Sequence, residues 1–402
     1  MDKKQYFNSI TEQVFALKDL AKIQADKCFD IKKMEAMLDP GTAAGIKRII
    51  VTGCGDSYSA AGAMRPALMQ FSGIRACNTP DAIDFCRFYS NEKICKNYQP
   101  QEVLIIAVSF SGNSVQAAEA LERANEMGAH SLLITRSSDS KAGAVAVHVF
   151  NVETPEGCNT PGLRSYYASL VALSAVGAYL GLCKGSLTES RFTEIKDQIS
   201  DYVISFMAKI DAIDDQMFDL AVKMKDLQKF EVIADWNEGF SAQFVEQKFI
   251  ECGGVFCDHT TSEEFAHISF FQREPSTYGM VVMINAADPS FSRMRDTIGG
   301  CLKQHRPTLV VTDAAPQEFE VSPKKLDIPA SFFEYFTSEK RDAESTEKPV
   351  FCQLPVAPEP WMSPLIDFIP GALLAGYQAA VNERFFFNGR YDFRNQIWSK
   401  DV

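Results

Sequence analysis

The feature that most constrains this chain is a series of short apolar runs that do not alternate with polar residues, each closed by a turn and followed by a helical pattern. Arg48–Thr52 (RIIVT), Glu102–Ser109 (EVLIIAVS) and His130–Thr135 (HSLLIT) have continuous apolar centres, as strands covered on both faces of a parallel sheet require. Val147–Val152 (VHVFNV) alternates and is expected near an edge. Ser114–Met127 carries apolar residues at helical spacing with Gly128 just past its end, the pattern of a crossover helix. After a helical stretch from about Thr188 to Asp226 the plan recurs. Phe230–Ala234, a helix Ser241–Cys252 ended by Gly253-Gly254, Gly279–Asn285, a helix near Pro289–His305 and Thr308–Thr312 form a second set of βαβ units. The expected fold class is α/β, with two doubly wound, flavodoxin-like parallel-sheet domains. The expected division is an N-terminal helical arm (1–40), a first domain (41–185), a second domain (186–348) and a C-terminal helix and tail (349–402), the last helix being Gly371–Glu383.

A chain of 402 residues can bury two such cores. With 46% hydrophobic and 23% charged residues it lies outside the disordered and fibrous classes. Forty Lys and Arg against 52 Asp and Glu leave a net charge of −12, the wrong sign for a nucleic-acid partner. The eleven cysteines are scattered without a CxxC pair, and the N-terminus has no charged-then-apolar leader; a reduced, cytoplasmic protein is expected. The longest apolar stretch, Tyr166 to Cys183, is short for a bilayer span and is interrupted by Ser169, Ser174, Gly177 and Gly181. It is expected to be a buried helix, with no membrane partner.

Chemistry is expected where strands end. Ser109-Phe110-Ser111-Gly112-Asn113-Ser114 joins a buried strand to a helix, at the carboxyl edge where open parallel sheets bind ligands. Three hydroxyls, a permissive glycine and free helix amides converge there, and both the amides and the helix dipole favour an anion. Without a ligand, Ser114 would be an ordinary N-cap and the other serines loop filler. A second turn, Gly53-Cys54-Gly55-Asp56-Ser57, follows the first strand in the same way and favours a small phosphorylated ligand. The GxGxxG pattern of dinucleotide sites is absent.

These residues carry a resemblance. Gly53-Cys54-Gly55-Asp56-Ser57-Tyr58 followed by Ser-Phe-Ser-Gly-Asn-Ser resembles the sugar isomerase (SIS) domain, in which a Ser-x-Ser-Gly-x-(Ser/Thr) loop holds a sugar phosphate. Ile10-x-Glu12-Gln13 resembles the family's N-terminal arm, and the duplicated plan is similar to tandem SIS proteins, above all the isomerase half of glucosamine-6-phosphate synthase and the fructosamine-6-phosphate deglycases. The resemblance implies that Ser109, Ser111 and Ser114 hold the phosphate, with Gly55, Asp56, Ser57, Gly112 and Asn113 adjoining and Ser165 facing the sugar. Phe110 stands where the synthase has a glutamine.

In the second domain Lys248 and Glu251 lie three apart on one helix face, with His267 downstream. By spacing alone they read as a surface ion pair and a loop histidine. The resemblance assigns them catalysis: the synthase's catalytic glutamate and histidine are sixteen residues apart, and 267 − 251 = 16. Lys248 and Glu264 match its flanking lysine and glutamate; His259 is a weaker candidate. In the tail, Asp392-Phe393-Arg394-Asn395 and Lys400 resemble the segment whose lysine forms a Schiff base with the open-chain sugar, although Lys400 stands two residues farther along than that pattern. The family's histidine serves a neighbouring subunit, which implies a homodimer, and the chemistry requires no cofactor or metal. The implied function is C1–C2 proton shuttling on an amino-sugar or fructosamine 6-phosphate, as a deglycase, deaminase or isomerase. The alternative is a sugar-phosphate-binding regulator without catalysis.

Overall fold

The computed structural model describes residues 1–154, 160–319 and 348–389. Two five-stranded sheets, every pairing parallel, organise the chain. The first comprises β1 (Arg48–Gly53), β2 (Cys77–Asn78), β3 (Val103–Val108), β4 (His130–Thr135) and β5 (His148–Asn151), in the order β2-β1-β3-β4-β5. The second comprises β6 (Lys229–Ile233), β7 (Phe256–Thr260), β8 (Tyr278–Met283), β9 (Thr308–Thr312) and β10 (Val350–Gln353), in the order β10-β9-β8-β6-β7. Read from the other edge this is again 2-1-3-4-5, so both sheets share the flavodoxin-like winding. Every residue of β1 and β3 is buried, which explains their unbroken apolar sequence.

The principal helices are α1 (Ser9–Cys28), α2 (Asp56–Ala63), α3 (Arg65–Ser72), α4 (Val115–Glu126), α5 (Arg164–Cys183), α6 (Glu189–Met207), α7 (Ile210–Lys223), α8 (Glu238–Gly253), α9 (Ser262–His267), α10 (Phe291–Lys303) and α11 (Phe368–Val381). Several bounds differ from the sequence reading. The expected stretch Thr188–Asp226 is two helices, α6 and α7. Helix α8 begins three residues before Ser241, and α11 begins before Pro370 because proline is tolerated in a first turn. Strand β10 joins the second sheet, beyond residue 348 where the sequence places the start of the tail.

Helices α5 and the segment Pro360–Val381 are long and apolar enough to cross a membrane, but 89% of each apolar window is buried inside the protein. Tyr166 of α5 stacks on Phe244 of α8 at 3.9 Å between centroids, with Phe368 edge-on to both. One apolar core therefore runs from Ile49 and Val51 of the first sheet to Val232 and Val281 of the second, with Ile10, Val14 and Leu17 of α1 inserted into it. Gly62 of α2 lies so close to Phe240 of α8 that a Cβ there would fall 2.2 Å from the ring. This contact presses the helix that follows β1 against the helix that follows β6.

Candidate active site

The strand order reverses between β1 and β3, so the turns leaving those two strands face each other across a crevice. Gly55, in the left-handed region (φ 54), turns the chain into α2. After β3, Gly112 (φ 68) turns the chain a second time; a side chain there would fall 2.1 Å from Ser140 Oγ, so the turn requires glycine. Ser114 caps α4, its Oγ accepting from the Ala117 amide at 3.3 Å. Ser111 Oγ accepts from the Asn113 amide at 3.3 Å. Cys54 Sγ approaches Ser114 Oγ at 3.6 Å, which brings the two turns together. Ser109, Ser111, Gly112, Asn113 and Ser114 thus line one side of the crevice, and Gly55, Asp56 and Ser57 the other. The hydroxyls and amides offer donors without a fixed cation, suited to an anion in an acidic chain.

The third wall comes from the second sheet. Lys248 of α8 is fully buried, and its Nζ donates to Asp56 Oδ2 at 2.9 Å and to Glu251 Oε2 at 2.5 Å. Its ammonium also stands 4.6 Å from the Phe244 ring centroid. Burial alone would depress the lysine pKa, but Asp56 and Glu251 together raise it, so the ammonium stays charged. Asp56 is pushed up to about 6 by burial first, with Glu251 reinforcing that shift and Lys248 opposing it. The side chains of Asp56 and Glu251 retain 25% and 32% exposure, so both carboxylates remain reachable from the crevice while the lysine does not.

Ser165, in the first turn of α5, sits beside Asp56: a Cβ on Gly162 would fall 2.5 Å from Ser165 Oγ and 3.4 Å from Asp56 Oδ2. That turn is fixed by Gln13, whose Nε2 donates to the Pro161 carbonyl at 2.9 Å and whose Oε1 accepts from the Leu163 amide at 2.9 Å. The sequence reading names Gln13 only as part of the arm; its buried amide is what ties the arm to the site.

His267 is not brought to this cluster. It ends α9 with its side chain 66% exposed, and its Nε2 pairs with Glu263 Oε1 at 2.8 Å. His259 lies on β7 against Glu246, with Nδ1 at 2.5 Å from Oε2. Among the described residues, Glu246, Asp258 and His259 bring their ligand atoms within 4.8 Å of one another. Glu246 is two residues from Lys248 and therefore on another face of α8. Lys400 lies outside the described residues.

Comparison with known proteins agrees with this architecture. Residues 44–180 match the SIS domain family. Glutamine–fructose-6-phosphate aminotransferase (isomerizing) of Corynebacterium diphtheriae is 22% identical over 217 residues, spanning 54% of this chain and 33% of that protein. Among solved structures, the C-terminal domain of glucosamine-fructose-6-phosphate aminotransferase from Francisella tularensis superposes with a TM-score of 0.76 at 13% identity, covering 95% of this chain and 98% of that one. Glucosamine-6-phosphate deaminase from Thermotoga maritima superposes with a TM-score of 0.62 at 13% identity, covering 98% and 99%. Residues 44–180 thus match the SIS domain model, and the chain shares the two-sheet fold of the C-terminal domain of glucosamine-fructose-6-phosphate aminotransferase.

Proposed function

We propose that this protein is a phosphosugar-isomerase-type enzyme acting on an amino-sugar or fructosamine 6-phosphate. The observation that carries the reading is Lys248, wholly buried, clamped between Glu251 and the Asp56 that opens the first phosphate-side helix. A buried ammonium shared by two reachable carboxylates is costly to maintain for stability alone, and here it adjoins an anion cradle.

The phosphate sits on the hydroxyls of Ser109, Ser111 and Ser114 and the amides around Gly112 and Asn113, which orients the sugar carbons toward α8. Glu251 moves a proton between C1 and C2, a role that calls for a carboxylate in a partly dry setting. Lys248 holds that carboxylate by donating to its Oε2 and offsets charge on the enediolate or enolamine. Lys400 engages the sugar carbonyl as a Schiff base. His267 assists ring opening in the crevice of a second copy, so the active form is a homodimer. Water adds to the imine so formed and expels the amine from C1 or C2, which restores the carbonyl and completes a deglycase or deaminase cycle.

The exposed, Glu263-paired His267 favours a second reading, in which the chain binds sugar phosphates and regulates a partner. Glu251→Gln separates the two. Under the enzymatic reading, turnover of fructosamine 6-phosphates and glucosamine 6-phosphate, followed as released amine, falls about 10²–10⁴-fold while ligand-induced thermal stabilisation persists. Unchanged turnover of every accepted substrate would leave only the regulatory reading.

A further inference from the structure

The charges in the crevice do not balance. Lys248 takes one oxygen from each carboxylate, Asp56 Oδ2 and Glu251 Oε2. Among the described residues the other two oxygens, Asp56 Oδ1 and Glu251 Oε1, accept no hydrogen bond from the protein. The opposite wall is neutral: Ser109, Ser111, Ser114 and backbone amides. Phe244 and Tyr166 back the cluster with apolar surface. Among the described residues, with one ammonium between two carboxylates, this cluster holds an excess negative charge beside the serine cradle. A neutral sugar phosphate would gain nothing from that excess, and its dianionic end would be repelled by it. A ligand carrying a cation a few atoms from its phosphate would satisfy both walls.

Asp56 is the group placed to make this distinction. It belongs to the phosphate-side turn, stands next to Ser165, and is the second carboxylate on Lys248. We propose that Asp56 is a specificity-determining residue that selects phosphosugars bearing a protonated amine over their hydroxyl or amide counterparts. The inference rests on the phosphosugar reading above and narrows its substrate class. The selection is both attractive and repulsive: the free Oδ1 accepts from an ammonium, and the same oxygen left facing a hydroxyl-only sugar keeps its unmatched charge near the phosphate.

The test uses the full chain and ligands that cannot turn over because they lack a carbonyl. These are 2-amino-2-deoxyglucitol 6-phosphate, its N-acetyl derivative and glucitol 6-phosphate, with dissociation constants measured by calorimetry at pH 7. The wild-type protein should bind the amine about tenfold or more tightly than either neutral ligand. Asp56→Asn, isosteric and partly exposed, should bring that ratio to within about threefold, mainly by weakening the amine complex. Equal affinities in the wild-type protein overturn the proposal without recourse to any variant. A ratio preserved in a folded Asp56→Asn overturns the assignment to Asp56. Failure of all three ligands to bind would instead remove the cradle reading, and this inference with it.

Discussion

At the first sheet's point of strand reversal, between β1 and β3, the chain places three serines, a glycine and helix amides. At the corresponding point of the second sheet, between β6 and β8, it places Glu238, Asn285 and, from the segment before α11, Ser363. Asn285 Nδ2 donates to Glu238 Oε1 at 2.6 Å and to Ser363 Oγ at 2.7 Å. Glu238 is 3% exposed, and burial first, then Asp288, pushes its carboxyl up to about 8. The same winding thus builds one crevice lined by donors and one sealed by a buried acid whose partners are already inside the protein. Duplicating a fold duplicates the place where chemistry can occur, and the side chains at each turn decide whether it does.

Three variants would break or sharpen that contrast. Lys248→Met has the largest expected effect. It strips the shared cation from Asp56 and Glu251, which should cost about 3 kcal/mol, the low end for breaking a buried pair because both carboxylates are partly solvated. It should also remove turnover, both seen by denaturant unfolding alongside an amine-release assay. Next, Ser111→Ala with Ser114→Ala should weaken sugar-phosphate binding by about 10–100-fold through lost hydrogen bonds to a charged group, while binding that stays within twofold would empty the cradle of meaning. The smallest effect belongs to the sealed crevice. Because Glu238 is raised from 4.5 to about 8, the native state holds a proton that the unfolded chain releases. Its contribution is therefore complete below pH 4.5 and is lost as pH climbs toward 8. Glu238→Gln should remove that slope, so its melting temperature relative to wild type should be at least about 3 °C higher at pH 8 than at pH 5. A difference that does not move with pH would mean that Glu238 is ionised and its crevice wet.

The elements legible in the sequence are those that burial forces to be apolar. Strands β1, β3, β4, β6, β8 and β9 are covered on both faces and announce themselves as hydrophobic runs. Strands β2, β7 and β10 are edges that lack the alternation revealing β5: β2 has only two residues, and β7 (FCDHT) mixes polar side chains with one buried cysteine. The serine turn was legible because strand, glycine and helix start coincide. Lys248 and Glu251 were legible as one helix face, but spacing cannot distinguish a buried pair from a surface one. What buries Lys248 is a partner 192 residues away, Asp56, on the other sheet's turn. His267 shows the converse: a matching interval in sequence left the imidazole facing solvent within one chain.

The press of Gly62 on Phe240 has a mechanical consequence. Together with the hydrogen bond from Ser59 Oγ to Gln243 Oε1 at 3.0 Å, it fastens α2 to α8 along the floor of the crevice, and the continuous core leaves no seam between the sheets. Two lobes so joined should move as one body. The distance from the serine turn to Glu251 should therefore be set when the chain folds, and the two sheets should lose structure in one cooperative event rather than lobe by lobe.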